Sequence, residues 1–178
     1  GIDTATAAAG GTVTLNADTN ALTIAAAGAI NSDGLVSLTG AGGISTAGNV
    51  STTNDNVSYN SNTTLTGPVL IDTGTGAGTI AFGSKLDGTV GTETLGLTAG
   101  TGNVSFSGAV GSNQALGAVT VSSATDVGIN SSFSAASLTQ SAGSGTTTIG
   151  GTLTTSGNVN LKAATIAVNA GIDTATAA

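Results

Sequence analysis

Short segments that alternate apolar and polar positions recur along the chain. Each has an apolar or β-branched residue, one spacer and a second apolar residue, a period of two that is typical of a strand burying one side. The pairs follow one another at intervals of 19 to 24 residues: Val13/Leu15, Val36/Leu38, Val57/Tyr59, Ile80/Phe82, Val104/Phe106, Val127/Ile129, Thr147/Ile149 and Ile166/Val168. A repeat of this length predicts an array in which each unit is one turn of a larger structure.

Each unit contains two further apolar patches, with Gly, Asn, Asp and Ser clustered between them as turns require. In the third unit, for example, the patches are Leu65 and Leu70, with Ile71 beside it. Three short strands in each unit of about 21 residues predict an all-β fold, a parallel and right-handed β-helix or β-solenoid of about eight coils. Alternating strands also occur in a β-sandwich, but a sandwich does not predict a fixed repeat.

The second apolar residue of each pair tests this register. If the coils stack, these residues form one inward structural core column: Leu15, Leu38, Tyr59, Phe82, Phe106, Ile129, Ile149 and Val168. Three of the four aromatic residues of the chain then lie on consecutive coils. At the strand spacing of about 4.8 Å, we expect Tyr59, Phe82 and Phe106 to stack as a ladder.

The two ends of the sequence carry the same octapeptide, GIDTATAA, at residues 1–8 and 171–178. The offset of 170 residues predicts a tandem array, with residues 1–170 forming one repeat of a continuous solenoid and residues 171–178 starting the next. The alternative is two similar turns in a chain of low complexity. The predicted partners are therefore identical repeats in the same chain or filament, and lateral bundling of neighbouring chains is a further hypothesis.

The composition excludes many kinds of chemistry. The chain has no Cys and no His, so it lacks thiol nucleophiles, ordinary catalytic triads and zinc fingers. Its net charge is −7 and its only cations are Lys85 and Lys162, which argues against a nucleic-acid partner. No apolar run approaches the roughly 18–20 residues of a membrane span. A hydrophobic content of 39% and a single Pro argue against disorder.

Candidate chemistry is sparse. Parallel β-helices also host pectin-cleaving enzymes, but the two lysines lie far apart in this register and no DxD or DD pair of acids occurs. We expect no enzyme activity, no catalytic residue and no cofactor. Calcium is the one metal worth considering, because Asp33 and Asp55 precede their strands by similar offsets and a corner could bring them together. The alternative is that each caps its own turn.

Two other motifs have ordinary structural explanations. The run GTGAG at residues 74–78 lacks the lysine of a phosphate-binding loop and predicts a corner. Asn-x-Ser/Thr sequons begin at five positions, several of which are expected by chance in so Thr- and Ser-rich a chain: Asn49, Asn56, Asn62, Asn103 and Asn130.

The segments IDTGTGAGTIAF (71–82), LGLTAGTGNVSFSGAVG (95–111), ALGAVTVSSA (115–124) and GTLTTSGNVNLKA (151–163) resemble the repeats of bacterial β-strand-repeat or filamentous-haemagglutinin-like surface adhesins. The resemblance lies in the repeated pattern of these short segments over residues 69–168. It implies a secreted parallel β-helix in a cell-surface or extracellular fibre, with no enzyme. The leading functional hypothesis is a structural repeat segment of such a fibre or stalk. The alternative is an adhesin whose solenoid face itself binds a surface glycan or receptor.

Overall fold

A computed structural model describes residues 1–5 and 10–174 of the chain, and all regular structure in these ranges is β. The strands are β1 Ile2–Asp3, β2 Val13–Ala17, β3 Leu22–Ile24, β4 Ile30–Ser32, β5 Val36–Gly40, β6 Ile44–Thr46, β7 Val50–Thr52, β8 Val57–Tyr59, β9 Thr63–Leu65, β10 Val69–Asp72, β11 Ile80–Phe82, β12 Leu86–Asp87, β13 Leu95–Thr98, β14 Val104–Phe106, β15 Leu116–Ser123, β16 Val127–Ile129, β17 Phe133–Gln140, β18 Thr146–Ile149, β19 Leu153–Thr155, β20 Val159–Asn160, β21 Thr165–Val168 and β22 Ile172–Asp173.

The strands stack as turns of a solenoid, and the prediction of a parallel β-solenoid is confirmed. Every strand pairs in parallel with strands one coil before or after it, as β8 does with β5 and β11. The short alternating segments explain the burial, since Val57 and Tyr59 of β8 point inward while Ser58 between them is half-buried. A coil therefore buries its apolar side chains only against its own far walls and its neighbours.

One wall of the solenoid is an uninterrupted eight-stranded sheet, β2-β5-β8-β11-β14-β16-β18-β21. Its pairing register places in one column the eight residues Leu15, Leu38, Tyr59, Phe82, Phe106, Ile129, Ile149 and Val168. This sheet divides the chain into coils, the first beginning at Val13 and the eighth at Ile166.

The other two walls are less regular. A four-stranded sheet, β3-β6-β9-β12, ends at Asp87, and the same line continues only as isolated bridges from Leu86 to Val110 and from Val110 to Phe133. The third wall belongs to a ten-stranded sheet. In β17 the chain runs for eight residues without a turn, so that the start of the strand pairs with β19 and its end with β20. The second and third walls merge there.

The alternation corrects one sequence expectation. The apolar patch of the third coil was predicted at Leu70, but Leu70 points outward and is 47% exposed, while Val69 and Ile71 are buried. Pairing sets this frame, because Val69 aligns with Leu95 and Ile71 with Leu97 on the next coil. Pro68, the single proline, directly precedes β10, where no ladder hydrogen bond from its nitrogen is needed.

The two copies of the octapeptide lie at opposite ends of the ten-stranded sheet, β1 on the line of the third wall and β22 on the line that continues the four-stranded sheet through Val110 and Phe133. Ile2 pairs with Ile30 of β4, whereas Ile172 pairs with Leu153 of β19. Ile172 follows Val168 by four residues, the same spacing that separates Ile149 from Leu153. The residues of the octapeptide alone therefore do not specify which strand they pair with. Residues 6–8 and 175–178 of the two copies lie outside the described residues, and the tandem array stays a prediction.

Candidate functional site

An aromatic stack lies at the centre of the eight-stranded sheet. The rings of Tyr59 and Phe82 have centroids 4.9 Å apart at an interplanar angle of 19°, and those of Phe82 and Phe106 are 5.4 Å apart at 3°. All three side chains are at most 1% exposed. The separation follows from the strand spacing, since equivalent residues on parallel in-register neighbours lie directly above one another.

The stack ends differently at its two sides. Phe133, at the start of β17, meets Phe106 edge-on, with centroids 5.5 Å apart and an angle of 80°. It thereby joins the merged wall to the eight-stranded sheet across the interior. Toward the amino-terminal end the column continues through the buried Leu38 to the half-buried Leu15. At the other end Val168 is 52% exposed, because no further coil covers it.

Among the described residues, two buried polar side chains each have one atom without a hydrogen-bond partner. The Tyr59 hydroxyl is buried without a partner, and burial raises its pKa above the ordinary value. The Gln140 side chain accepts a hydrogen bond from the Thr147 hydroxyl at 2.6 Å, but its Nε2 has no partner. Thr147 stands in the inward line otherwise held by Val or Ile, as at Val127. Both sites are polar interruptions in an otherwise apolar interior.

Side-chain amides at one corner join successive coils. Asn56 and Asn103 each directly precede a strand of the eight-stranded sheet. Asn56 Oδ1 accepts the backbone N–H of Thr79 at 2.8 Å, and Asn103 Oδ1 accepts that of Asp126 at 3.0 Å. Asp126 repeats the pattern, with its Oδ1 accepting the N–H of Thr146 at 2.7 Å. Each of these hydrogen bonds links one coil to the next and satisfies a backbone N–H group that the strand ladder does not pair.

Buried hydroxyls brace the turns that lead into the same sheet. The Ser32 hydroxyl donates to the carbonyl of Gly11 at 2.6 Å, and the Thr73 hydroxyl to that of Gly78 at 2.8 Å. Thr52 closes its own turn in the same way. The GTGAG run at 74–78 lies in one of these turns, as predicted for a corner, and Gly74 has a φ of 80° that favours glycine.

Two acidic side chains accept hydrogen bonds within turns at the corner between the four-stranded and ten-stranded sheets. Asp87 accepts hydrogen bonds from the backbone N–H and side-chain amide of Asn113, at 2.8 and 2.9 Å. Glu93 is 3% exposed. Burial alone would raise the pKa of Glu93, but hydrogen bonds from the Thr89 hydroxyl and from backbone N–H groups, including those of Val90 and Gly91, lower it to about 2.

The calcium candidates lie on adjacent coils of the corner that precedes the eight-stranded sheet. Asp33 stands three residues before Val36, and Asp55 stands two residues before Val57, so the two carboxylates do not occupy equivalent places. Both are half-exposed. Within residues 1–5 and 10–174, no group of three or more potential metal-ligating side chains is brought together. The arrangement supplies no third carboxylate for a calcium ion.

The side-chain hydrogen bonds described above link successive coils. The signal for the corner amides was present in the sequence, because Asn-Val-Ser recurs directly before strands at Asn49, Asn56 and Asn103. Its regular position, an outward cap followed by an inward Val and an outward Ser, is what distinguishes these sequons from random ones. Asn130 follows its strand instead and is exposed.

Comparison with models of known families, with curated proteins and with solved structures finds no match to this chain. Over the described part of the chain, no helix is present that could cross a membrane. The fold and the columns described above are therefore the basis for any functional conclusion.

Proposed function

We propose that this chain is a structural repeat segment of a long extracellular β-solenoid fibre, stalk or surface filament. The observation that carries the proposal is the eight-stranded sheet, which pairs coil to coil without a break from Val13 to Val168. A parallel ladder of this kind resists bending and stretching, because every coil is hydrogen-bonded to the next along the fibre axis. With strands about 4.8 Å apart, eight coils extend a fibre by about 38 Å.

The partners in this proposal are identical copies, in the same chain or filament. Ile166, Val168 and Ile172 occupy inward positions of the last coil and are 41–52% exposed. A further coil stacked on this edge would bury them and pair the open strand, which otherwise invites aggregation. The shared octapeptide motivates the same idea. In a tandem array with a period of 170 residues, a copy of the segment that leads to Val13 would follow residues 171–178.

An adhesin whose solenoid face binds a glycan or receptor is supported less well. Faces that recognise sugars commonly use exposed aromatic rings for stacking, and all four rings here are at most 1% exposed. The outward positions of the eight-stranded sheet are small residues such as Ser58, Ala81 and Ser105. The extracellular location rests on the resemblance to surface fibres and on a surface with few charges.

The proposal is tested by measuring how far the chain extends from a membrane. One, two or four copies of residues 1–170 are inserted between a membrane-anchored domain and a fluorescent tip, with Gly/Ser linkers of equal residue number as the comparison. We expect the height of the tip above the membrane to rise linearly with copy number for the solenoid, and far less for the flexible linkers. The same series carrying Phe82→Asp in each copy should lose the linear rise. A height independent of copy number would refute the proposal.

A further inference from the structure

The two copies of the octapeptide pair with their neighbours through different backbone groups. In β1, the N–H of Ile2 donates to the carbonyl of Ala29 in the following coil at 2.9 Å. In β22, the carbonyl of Gly171 accepts the N–H of Leu153 in the preceding coil, also at 2.9 Å. Alternate residues of a parallel strand turn their N–H and C=O groups to opposite neighbours. A single octapeptide strand can therefore pair with a preceding and a following coil at the same time.

The two pairings belong to different lines of strands. The first line is the eight-stranded sheet, the second is β3-β6-β9-β12 with its continuation through Val110, Phe133 and β19, and the third runs from β4 to β20. β1 pairs with β4 on the third line, and β22 pairs with β19 on the second. In a tandem array the octapeptide that ends one copy begins the next, so one strand makes both pairings. The second line of one copy then leads into the third line of the next.

We infer that successive copies stack with an offset of one line of strands. The eight-stranded sheet of one copy continues as the second line of the next, the second as the third, and the third as the eight-stranded sheet. The inference rests on the proposed fibre and specifies how its copies join. The joining surfaces are the last described coil, residues 159–173, and the first strands of the following copy.

The apolar side chains of the two joining surfaces match in this register. The pairs, from one copy to the next, are Val159 with Val13, Leu161 with Leu15, Ile166 with Leu22, Val168 with Ile24 and Ile172 with Ile30. The last pair is the one that Ile2 already forms in this structure. The five side chains of the last coil are half-buried or exposed, and the offset gives each of them an apolar partner.

Stacking without an offset fits the chain less well. It would place Val13 of the next copy 17 residues after Ile166, whereas paired strands in the described part of the chain are 19 to 28 residues apart. It would also cover Ile30 with a strand drawn from residues 3–12, which include no apolar side chain larger than alanine. With the offset, Val13 follows Val159 by 24 residues, and the other two lines have spacings of 26 and 28 residues, within the range in the structure.

The offset changes what the fibre presents to its surroundings. Each copy completes about a third of a turn less than eight turns, and this rotation adds to the twist of the solenoid itself. A surface feature such as the seven-residue connection at 88–94 therefore faces a different direction on each successive copy. A partner that lies along one side of the fibre cannot contact the same feature on consecutive copies, and its binding does not gain from their number.

Nitroxide pairs in a chain of two joined copies of residues 1–170 test the offset. The chain has no cysteine of its own, so labels attach only where cysteines are introduced. One label is placed at Thr154→Cys in the first copy, and the other at Asn31→Cys or at Thr23→Cys in the second copy, all three being outward positions. With the offset, Thr154 and Asn31 lie on either side of the octapeptide strand, about 10 Å apart. We expect dipolar broadening of the frozen-solution EPR spectrum at least fivefold larger for this pair than for the Thr23 pair.

A pair within one copy is the control. Thr14→Cys and Ser37→Cys lie on paired strands of the eight-stranded sheet, and their broadening reports that the coils have formed. Broadening of the Thr23 pair alone, the result of stacking without an offset, or of both pairs, the result of mixed registers, would overturn the inference and leave the fibre proposal standing. Broadening of neither pair beside a broadened control would overturn both, because the copies would not stack.

Discussion

The eight-stranded sheet and the line of the four-stranded sheet respond differently to the same repeat. Both begin as parallel ladders with apolar residues inward, and the first keeps its register through all eight coils. The second ends at Asp87 and survives beyond it only as single bridges at Val110. In most coils the column residue of the eight-stranded sheet and the first buried residue of the second wall are four positions apart, as Phe82 and Leu86 are. The corner between the second and third walls varies more, from three residues at 47–49 to seven at 88–94.

Corner length alone does not decide where a ladder ends, because the corner that leads into the eight-stranded sheet also varies, from three residues at 33–35 to seven at 73–79. Where a corner grows, as at residues 88–94 and 111–115, the extra backbone must find partners of its own. Asp87 and Glu93 supply them, accepting N–H groups that no strand can receive. The regular wall gives the solenoid its continuity, and the irregular corner gives it surface features. Four sets of substitutions test this account, in order of decreasing effect.

A charge in the regular wall should have the largest effect. Phe82→Asp buries an unpaired carboxylate between Tyr59 and Phe106, and we expect it to lower the free energy of unfolding by more than about 4 kcal/mol. Ala81→Asp, on the outward side of the same strand, should cost less than about 1 kcal/mol. Urea denaturation followed by circular dichroism measures both. Equal losses for the two variants would mean that position 82 is not an inward site.

The same truncation on the two walls compares them directly. Val104 lies within the eight-stranded sheet and Val110 is an isolated bridge, and both are 1% exposed. We expect Val104→Ala to cost about 2–3 kcal/mol, because the ladder on both sides prevents the cavity from closing, and Val110→Ala to cost about 1 kcal/mol, because its neighbours can relax. If Val110→Ala proves the more damaging in urea titrations, the contrast between the walls is wrong.

The single polar group in the aromatic stack gives the third effect. Tyr59→Phe removes a buried hydroxyl that has no partner, and we expect a gain of about 1–2 kcal/mol. The raised pKa adds a pH dependence. The unfolded chain ionises its tyrosine near pH 10 while the folded chain keeps the proton, so stability falls as pH rises above about 10. Thermal unfolding at pH 9, 10.5 and 11.5 should show this fall, with part of it absent in Tyr59→Phe. A fall of the same size in both chains would contradict the assignment.

A corner amide should give the smallest effect. Asn103→Ala removes the acceptor for the N–H of Asp126 and should cost about 1 kcal/mol. Asn130→Ala is the matched control, since Asn130 belongs to the same kind of sequon but follows its strand and is exposed. We expect its cost to be near zero in the same denaturant titrations. A similar cost for both would indicate that the position before the strand has no special role.

Much of the regular wall could be predicted from the sequence, and little of the irregular corner. The spacing of Val-x-Leu, Val-x-Tyr and Ile-x-Phe segments specifies which residues align, because parallel pairing repeats the same position on each coil. Leu70 could not be placed in the same way, since Val69, Leu70 and Ile71 are all apolar and only pairing with β13 sets the frame. The burial of Glu93 depends on N–H groups exposed by a turn, and its sequence neighbours carry no sign of it.

The octapeptide shows the same limit. Identical residues pair with non-equivalent partners, Ile2 with Ile30 and Ile172 with Leu153, so the octapeptide sequence does not by itself specify its place in the solenoid. The calcium hypothesis stays a prediction: Asp33 and Asp55 lie on adjacent coils, three residues before Val36 and two residues before Val57.

The central claim is that coils continue to stack in register from one copy to the next. Small-angle X-ray scattering from chains of one and two joined copies of residues 1–170, at dilution low enough to suppress contacts between chains, tests it most directly. The account predicts that the maximum dimension increases by about 38 Å for the added copy, with an unchanged cross-sectional radius. Two separate scattering bodies joined by a flexible segment, or a second copy that thickens the particle instead of lengthening it, would contradict the claim.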